Sequence, residues 1–451
     1  MQAIETIMGR MAANGDAPAL FWNDREFSYA EFMELVAVWR DRIAADGIGR
    51  GTVCGFFGEY SPQVCGLIFA LMQVKAILVP FTVAIDNELP EFMGIAGVEV
   101  LYRFAPDDSW TLERFPSLPK NDLIVSFLER DVPGLVVFTS GSTGKPKGIL
   151  QDCERVMRKF VASRESWRTV LFLMLDHFGG FNTLLSTFAY GGTAICLPDR
   201  GQETVCRVIE ASRATLLPTT PTFINLLLAS RCYQAFDLSS IRLITYGTEV
   251  MPAATLQKLR EVFPNARVKQ TYGLSELGVL RSKSENDDSV WVKIGGAGFE
   301  TKIVDNILWV RSEANMVGYL NAPSPFDDEG WMCTGDQVEV RGEYMRILGR
   351  KSEMINVGGQ KVFPAEVETV LLEAANIREA TVVGMPHPVM GHIVTARISL
   401  HEPEEPRALT ERLRKHCMER MAKYKVPVRF VVVAEDDQRS ARFKKTRRID
   451  G

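Results

Sequence analysis

The stretch FTSGSTGKPKG, residues 138–148, crowds four hydroxyls, three glycines and two lysines into eleven positions. Thr139, Ser140, Ser142 and Thr143 offer hydroxyl donors. Gly141 and Gly144 let the backbone approach an anion closely, and Lys145 and Lys147 bring positive charge. This is a phosphate-holding vocabulary. A Walker-type P-loop would need glycine five residues before Gly144, where Thr139 stands. It would also need a helix directly after the lysine. Pro146 has no N–H and a fixed φ, so it would interrupt that helix at the end that holds the phosphates. The P-loop is therefore excluded, and a triphosphate-binding loop of another kind is expected. A plain Ser/Gly linker would predict polar surroundings, yet an apolar run leads straight into the loop.

Two further stretches carry chemistry. Thr271-Tyr-Gly-Leu-Ser-Glu276 combines hydroxyls with a carboxylate, a hard-oxygen ligand suited to Mg²⁺. Trp331-Met-Cys-Thr-Gly-Asp336 ends on a carboxylate that can accept two hydrogen bonds from neighbouring hydroxyls. Read alone, each is also a turn. The basic run from Arg439 to Arg448 is either a solvated tail or a source of charge for a site.

Elements must bring these stretches together. At 451 residues the chain exceeds one ordinary core, so two or more domains are expected. Its 46% hydrophobic and 24% charged residues place it among globular proteins. The net charge of -4 points to neither a nucleic-acid nor a membrane surface. No apolar run reaches about 18 residues and no signal peptide is visible, so a cytoplasmic chain without a membrane span is expected. Eight scattered cysteines, none in a CxxC pair, read as buried free thiols.

Short β-rich runs (134–138, 193–197, 214–217, 241–245) alternate with helical patterns (31–45, 62–75, 202–212, 222–230, 253–262). That order argues for layered α/β sheets, largely parallel. Ser61 before Pro62 is a fitting cap and first position for the second helix. Residues about 295–348 differ: short strands with glycine turns suggest a β-rich subdomain. A boundary near 349–352 divides an N-terminal domain, 1–350, from a small α+β C-terminal domain, 351–451.

The stretch 138–148 resembles the signature loop of the adenylate-forming superfamily, which contains acyl-CoA synthetases, peptide-synthetase adenylation domains and firefly luciferase. Further motifs in register extend the likeness over nearly the whole chain. The 271–276 stretch resembles the family's YGxTE motif, with Ser275 in place of threonine. The resemblance implies that Thr271, Tyr272 and Gly273 border AMP, Ser275 meets the α-phosphate and Glu276 holds Mg²⁺. Tyr246-Gly-Thr-Glu249 is similar to the strand end behind adenine and the acyl group, which implies nucleotide contacts for Gly247, Thr248 and Glu249. Asp336 corresponds to the ribose-binding aspartate. The run Tyr344 to Arg350 resembles the crossover between domains, with Ile347 and Arg350 near the nucleotide. Ser352 stands where the family's hinge is usually Asp or Lys. Gly358 and Gly359 resemble the segment lining a pantetheine tunnel after the small domain rotates. The run 443–448 allows two registers for the catalytic lysine, Lys444 with Arg447 or Lys445 with Arg448. Spacing from Tyr424 favours Lys444, although Phe443 replaces the customary glycine.

The implied reaction uses ATP with Mg²⁺ to turn a small carboxylic acid into an acyl-adenylate, which then passes to a thiol. The thiol belongs to coenzyme A or to the phosphopantetheine of a carrier protein, the latter making the chain a stand-alone adenylation enzyme. A non-thiol acceptor and a non-catalytic nucleotide binder are the other readings. In 173–181, Asp176 falls on the family's usual histidine and His177 one place later. Asp176 would pair with a substrate amine, or the loop is shifted and His177 takes the usual place. Phe181, Thr220 and Tyr246 complete the expected acid pocket, by their place before or at strand ends.

Overall fold

The computed structural model describes residues 2–116, 119–140, 145–296, 298–438, 445 and 447. Two seven-stranded sheets form the N-terminal bulk. One runs Arg267–Gln270, Leu243–Tyr246, Leu216–Thr219, Arg168–Val170, Thr193–Ile195, Pro18–Trp22 and Arg25–Ser28, parallel except at the last pair. The other runs Gly318–Tyr319, Pro146–Asp152, Gly134–Ser140, Ile77–Phe81, Val53–Phe57, Val100–Phe104 and Trp110–Arg114, parallel at its centre and antiparallel at both edges. Helices Tyr29–Ala45, Pro62–Gln73 and Phe178–Ala189 share one apolar core with residues from both sheets. Rings of Phe32, Phe69 and Phe188 meet there, the first and last stacked at 4.6 Å. Alternating strands and helices thus give layered, largely parallel α/β sheets.

Local signals act as expected. The Ser61 hydroxyl accepts the Val64 N–H at 3.1 Å, and Pro62 opens the helix without losing a bond. Ser28 and Glu31 form a reciprocal capping box on Tyr29–Ala45.

A six-stranded antiparallel sheet follows, in the order Ser282–Ser284, Val292–Ile294, Tyr344–Arg350, Met332–Arg341, Ile307–Ser312 and Phe299–Val304. It draws in two strands lying before the glycine-rich stretch that signals it in the sequence. The remaining unit packs helices Pro364–Leu372 and Pro406–Met418 on strands Ile377–His387, Gly391–Leu400 and Arg429–Val432, around a core of its own.

Six cysteines are buried and Cys232 is half-buried, but Cys333 is exposed, against expectation. It alternates with the buried Met332 and Thr334 along one strand, so the pleat turns it outward. Among the described residues no helix is long and apolar enough to cross a membrane.

Candidate active site

The phosphate-loop stretch lies between two antiparallel strands. Phe138 pairs with Gly148, Thr139 with Lys147 and Ser140 with Pro146. A strand follows the loop, where a P-loop would have a helix. Pro146 suits this place, because its missing N–H costs nothing at the first residue of a strand. Gly141, Ser142, Thr143 and Gly144 lie outside the described residues, as does Lys444. Lys145 is exposed, and Lys147 stands 5.0 Å from the centre of the Tyr319 ring. Asn321 braces the departing strand: it accepts the Gly148 N–H at 3.0 Å and donates to the Pro146 carbonyl at 2.9 Å.

Residues 271–276 join three sheets. At one end the Thr271 N–H and hydroxyl both donate to the Tyr246 carbonyl, at 2.7 and 3.0 Å. Thr271 thereby crosses from the first sheet's strand end toward the hairpin of Tyr272–Leu274 and Gly278–Leu280. A side chain at Gly247 would put its Cβ 2.6 Å from Thr271 Oγ1, and one at Gly273 would lie 2.8 Å from the Gly278 carbonyl oxygen. Both glycines permit backbone contact that no other residue allows. Thr248 follows Gly247 with φ 71°.

In the middle, the Tyr272 hydroxyl donates to Asp336 Oδ2 at 2.5 Å, reaching the six-stranded sheet. Asp336 and Arg350 are cross-strand neighbours, with Arg350 Nε 3.5 Å from Oδ1. Burial raises the Asp336 pKa, opposed by the tyrosine hydroxyl and the guanidinium. Burial, followed by the Asp336 charge, holds the Tyr272 hydroxyl firmly protonated, so it serves as a donor. Ile347 packs half-buried against the core of that sheet, opposite Val338.

At the far end, buried Glu276 accepts the Tyr319 hydroxyl on Oε1 at 2.8 Å. Gln151 Nε2 donates to the Ser275 carbonyl, and the Met316 N–H to the Glu276 carbonyl. Glu276, Tyr319 and Lys147 thus gather beside the loop of the second sheet. Tyr319, Asn321 and Gln151 went unseen in the sequence, since no motif marks them and only the folded strand pairing brings them in.

A lone hard-oxygen carboxylate next to a phosphate loop fits Mg²⁺ that takes its other ligands from phosphate and water. Among the described residues no group of three or more His, Cys, Asp or Glu is placed to hold a metal.

Other expected residues have visible local partners. Both Glu249 oxygens are engaged: Oε2 accepts the Thr222 hydroxyl at 2.6 Å, and Oε1 accepts the Lys445 N–H at 2.9 Å. The Thr220 hydroxyl caps helix Pro221–Ser230 by accepting the Phe223 N–H. Phe181 and Tyr246 are buried in the first and second apolar cores. His177 precedes helix Phe178–Ala189, and the turn before it wraps so closely that a Cβ at Gly180 would sit 2.0 Å from the Met174 carbonyl oxygen. Asp176 is buried near Tyr60, whose hydroxyl also feels Arg200 and Glu59. Arg200 pairs with Glu59 at 2.9 Å and donates to the Phe172 carbonyl. Gly358 and Gly359 form the turn between Ile355–Val357 and Gln360–Val362, and the Gly358 N–H donates to the Met390 carbonyl.

The fold and this junction define an adenylate-forming enzyme, one that activates an acid with ATP and releases pyrophosphate. The chain belongs to the AMP-binding enzyme family, whose model matches residues 91–320, while the model of the AMP-binding enzyme C-terminal domain matches 366–444. It is 27% identical to an indoleacetate–CoA ligase of Aromatoleum aromaticum, over 92% of this chain and 91% of that one. It is 26% identical to a 2-succinylbenzoate–CoA ligase of Bacillus subtilis, over 95% and 93%. Among solved structures it superposes on the anthranilate CoA ligase AuaEII in complex with anthranoyl-AMP, with a TM-score of 0.81, 23% identity and coverage of 96% and 93%.

Proposed function

We propose that this enzyme is an acyl-CoA ligase acting on an aryl or arylalkanoic acid. The acid's carboxylate attacks the α-phosphorus of ATP, pyrophosphate leaves, and the coenzyme A thiol then displaces AMP from the acyl-adenylate. The observation that carries this reading is the 271–276 junction. One hexapeptide joins Tyr272 to Asp336 and, through the Tyr319 side chain that both Glu276 and Lys147 approach, reaches the edge of the loop, which supports a ribose contact at one end and phosphate contacts at the other. Catalysis of this kind is mostly positioning and charge neutralisation. Asp336, steadied by Tyr272 and Arg350, accepts from the ribose hydroxyls. Lys145 and Lys147 bring positive charge to the phosphates, the resemblance gives the hydroxyls of 139–143 a share in holding them, and Lys444 neutralises charge as pyrophosphate leaves. Glu276 would hold Mg²⁺, which when bound would supply further positive charge at the phosphates.

The named substrates of the relatives, indoleacetate, 2-succinylbenzoate and anthranilate, favour an aromatic acid. Coenzyme A is favoured over a carrier protein because the relatives of near-complete coverage are CoA ligases. Asp176 and Arg200 both act on the Tyr60 hydroxyl, and Arg200 pairs with Glu59 at 2.9 Å. The test is acid-dependent AMP release over aryl, fatty, amino and hydroxy acids, with coenzyme A and with a phosphopantetheinylated carrier. Release with aryl acids and coenzyme A is expected. Release that needs the carrier would overturn the acceptor, and preference for an amino acid would return Asp176 to amine recognition.

A further inference from the structure

Arg200 and Tyr60 reach one loop from two different sheets. Arg200 follows strand Thr193–Ile195 of the first sheet, and Glu59 and Tyr60 follow strand Val53–Phe57 of the second. Arg200 Nη1 pairs with Glu59 Oε2 at 2.9 Å, so an ion pair joins a strand end in each sheet. Arg200 and Tyr60 are both buried, and each donates to the loop that follows strand Arg168–Val170. Arg200 Nε donates to the Phe172 carbonyl at 2.6 Å, and the Tyr60 hydroxyl to the Leu173 carbonyl at 3.1 Å. The next carbonyl, that of Met174, accepts the His177 N–H at 3.2 Å. Three consecutive carbonyls are thus fixed, two of them by side chains from outside the loop. Burial keeps the Tyr60 pKa well above the ordinary tyrosine range, so the hydroxyl stays a donor.

This loop also sets the start of helix Phe178–Ala189. A Cβ at Gly180 would lie 2.7 Å from the Leu173 carbonyl oxygen and 2.0 Å from that of Met174, so the helix rests on the carbonyls that Tyr60 and His177 hold. Asp176 and His177 stand in the loop and Phe181 in the first helical turn. These are residues expected to meet the acid, and loops at the carboxyl ends of parallel strands are where α/β sheets bind ligands. The segments expected to meet nucleotide hang on other bonds, those of Thr271 to the Tyr246 carbonyl and of Tyr272 to Asp336.

A buried carbonyl outside regular structure needs a donor. Without the Tyr60 hydroxyl, loop arrangements that bring the Leu173 carbonyl to water compete with the native one. The acid then meets a pocket formed only part of the time, and its apparent affinity falls by that fraction.

We propose that Tyr60 and Arg200 are positioning residues for the acid: through the carbonyls of Leu173 and Phe172 they set the shape of the acid pocket, and so which acids it accepts, without acting on the nucleotide. This rests on the acid activation proposed above, with Asp176, His177 and Phe181 facing the acid.

The test uses the full-length enzyme with Tyr60→Phe and Arg200→Lys, each checked by a melting curve. Tyr60→Phe keeps the ring. Arg200→Lys keeps a charge for Glu59 but lacks the fork that reaches the Phe172 carbonyl as well. The acids are the one activated fastest in the screen above and its homologue one methylene longer. AMP release is followed against the concentrations of acid and of ATP. Tyr60→Phe is expected to raise KM for the acid roughly tenfold, with kcat and KM for ATP within about twofold. The ratio of kcat/KM between the two acids should narrow by about threefold, because a looser pocket discriminates less by length. Arg200→Lys should move both quantities in the same direction. An unchanged KM for the acid in folded Tyr60→Phe would overturn the proposal, as would a rise in KM for ATP as large as that for the acid. A folded Arg200→Lys without effect would overturn its Arg200 half, and if that variant does not fold, Tyr60→Phe decides alone. An unaltered, folded enzyme that activates no acid would instead overturn the acid-activation reading, before any variant is compared.

Discussion

The segments 246–249 and 271–276 and the two described residues near the C-terminus, Lys445 and Arg447, are held by different forces. Residues 246–249 and 271–276 are fixed by backbone: Thr271 is pinned to the Tyr246 carbonyl, Gly273 lies against the Gly278 backbone, and the strands behind them are paired with each other, Leu243–Tyr246 inside the first sheet and Arg267–Gln270 at its edge. Residues 445 and 447 belong to no regular element of the described chain and are held by carboxylates at positions 249, 353 and 368. Close backbone packing can be made only one way, so it gives a rigid frame for the proposed nucleotide site. Ion pairs and single hydrogen bonds can be exchanged for others, so they fix a position less uniquely.

The first way to break this comparison is to disturb the rigid half. Gly247→Val would force its Cβ toward the Thr271 hydroxyl and carbonyl, at 2.6 and 2.9 Å, both on the strand end that carries Tyr272. Overpacking of this kind costs about 1–3 kcal/mol, and displacing the site by about 1 Å predicts roughly 100-fold lower kcat/KM for ATP. Steady-state kinetics with a melting curve measures both. Activity within twofold of the unaltered enzyme would show that this frame yields as easily as residues 445 and 447.

A smaller effect is expected from Tyr272→Phe. It keeps the ring and removes only the bond to Asp336. Leaving a buried carboxylate without that donor costs about 1–2 kcal/mol, or roughly tenfold in nucleotide affinity. Burial would then raise the Asp336 pKa further, because one of the two groups opposing it is gone. The sign follows: less of the carboxylate is ionised at low pH, so the loss in ATP binding should grow as pH falls. A pH profile of KM for ATP tests this, and a loss independent of pH would leave only the missing hydrogen bond.

The rigid half was largely legible in the sequence and the yielding half was not. Helices 202–212 and 253–262 fall on Gln202–Ser212 and Ala253–Val262, because apolar spacing and flanking breakers mark both. Pro146 excluded the P-loop, and the structure puts a strand there. Strand boundaries shifted by a residue or two, since edge residues of a β-run are decided by pairing rather than by type. Tyr319 on Glu276 and Lys445 on Glu368 could not be read, because they join positions 43 and 77 residues apart that no local pattern connects. Glu249 shows the same limit. The resemblance gave it a place near adenine, but its partners, Thr222 and Lys445, come from elements distant in sequence.

The last effect, expected in stability and not in activity, concerns two enclosed lysines with opposite surroundings. Lys445 has the carboxylate of Glu368, whereas Lys159 has the neutral amide of Asn182 at 2.5 Å and the ring faces of Phe160 and Phe178, 5.0 and 6.0 Å from its nitrogen. Burial, aided by Arg164, pushes the Lys159 ammonium down to about 7 from 10.5. The folded chain therefore binds fewer protons there than the unfolded chain between about pH 7 and 10.5, and stability rises with pH across that window. Below pH 7 the full cost is present. Lys159→Met should thus stabilise the protein by about 1–3 kcal/mol at pH 6, because Asn182 and the rings offset only part of the desolvation. Its advantage should shrink as pH rises toward 10. Denaturant midpoints of the two proteins across pH supply the difference. A constant difference would mean that dipoles and ring faces hold the Lys159 charge as firmly as Glu368 holds that of Lys445, and the distinction between charge fixed by charge and charge fixed by neutral groups would fall.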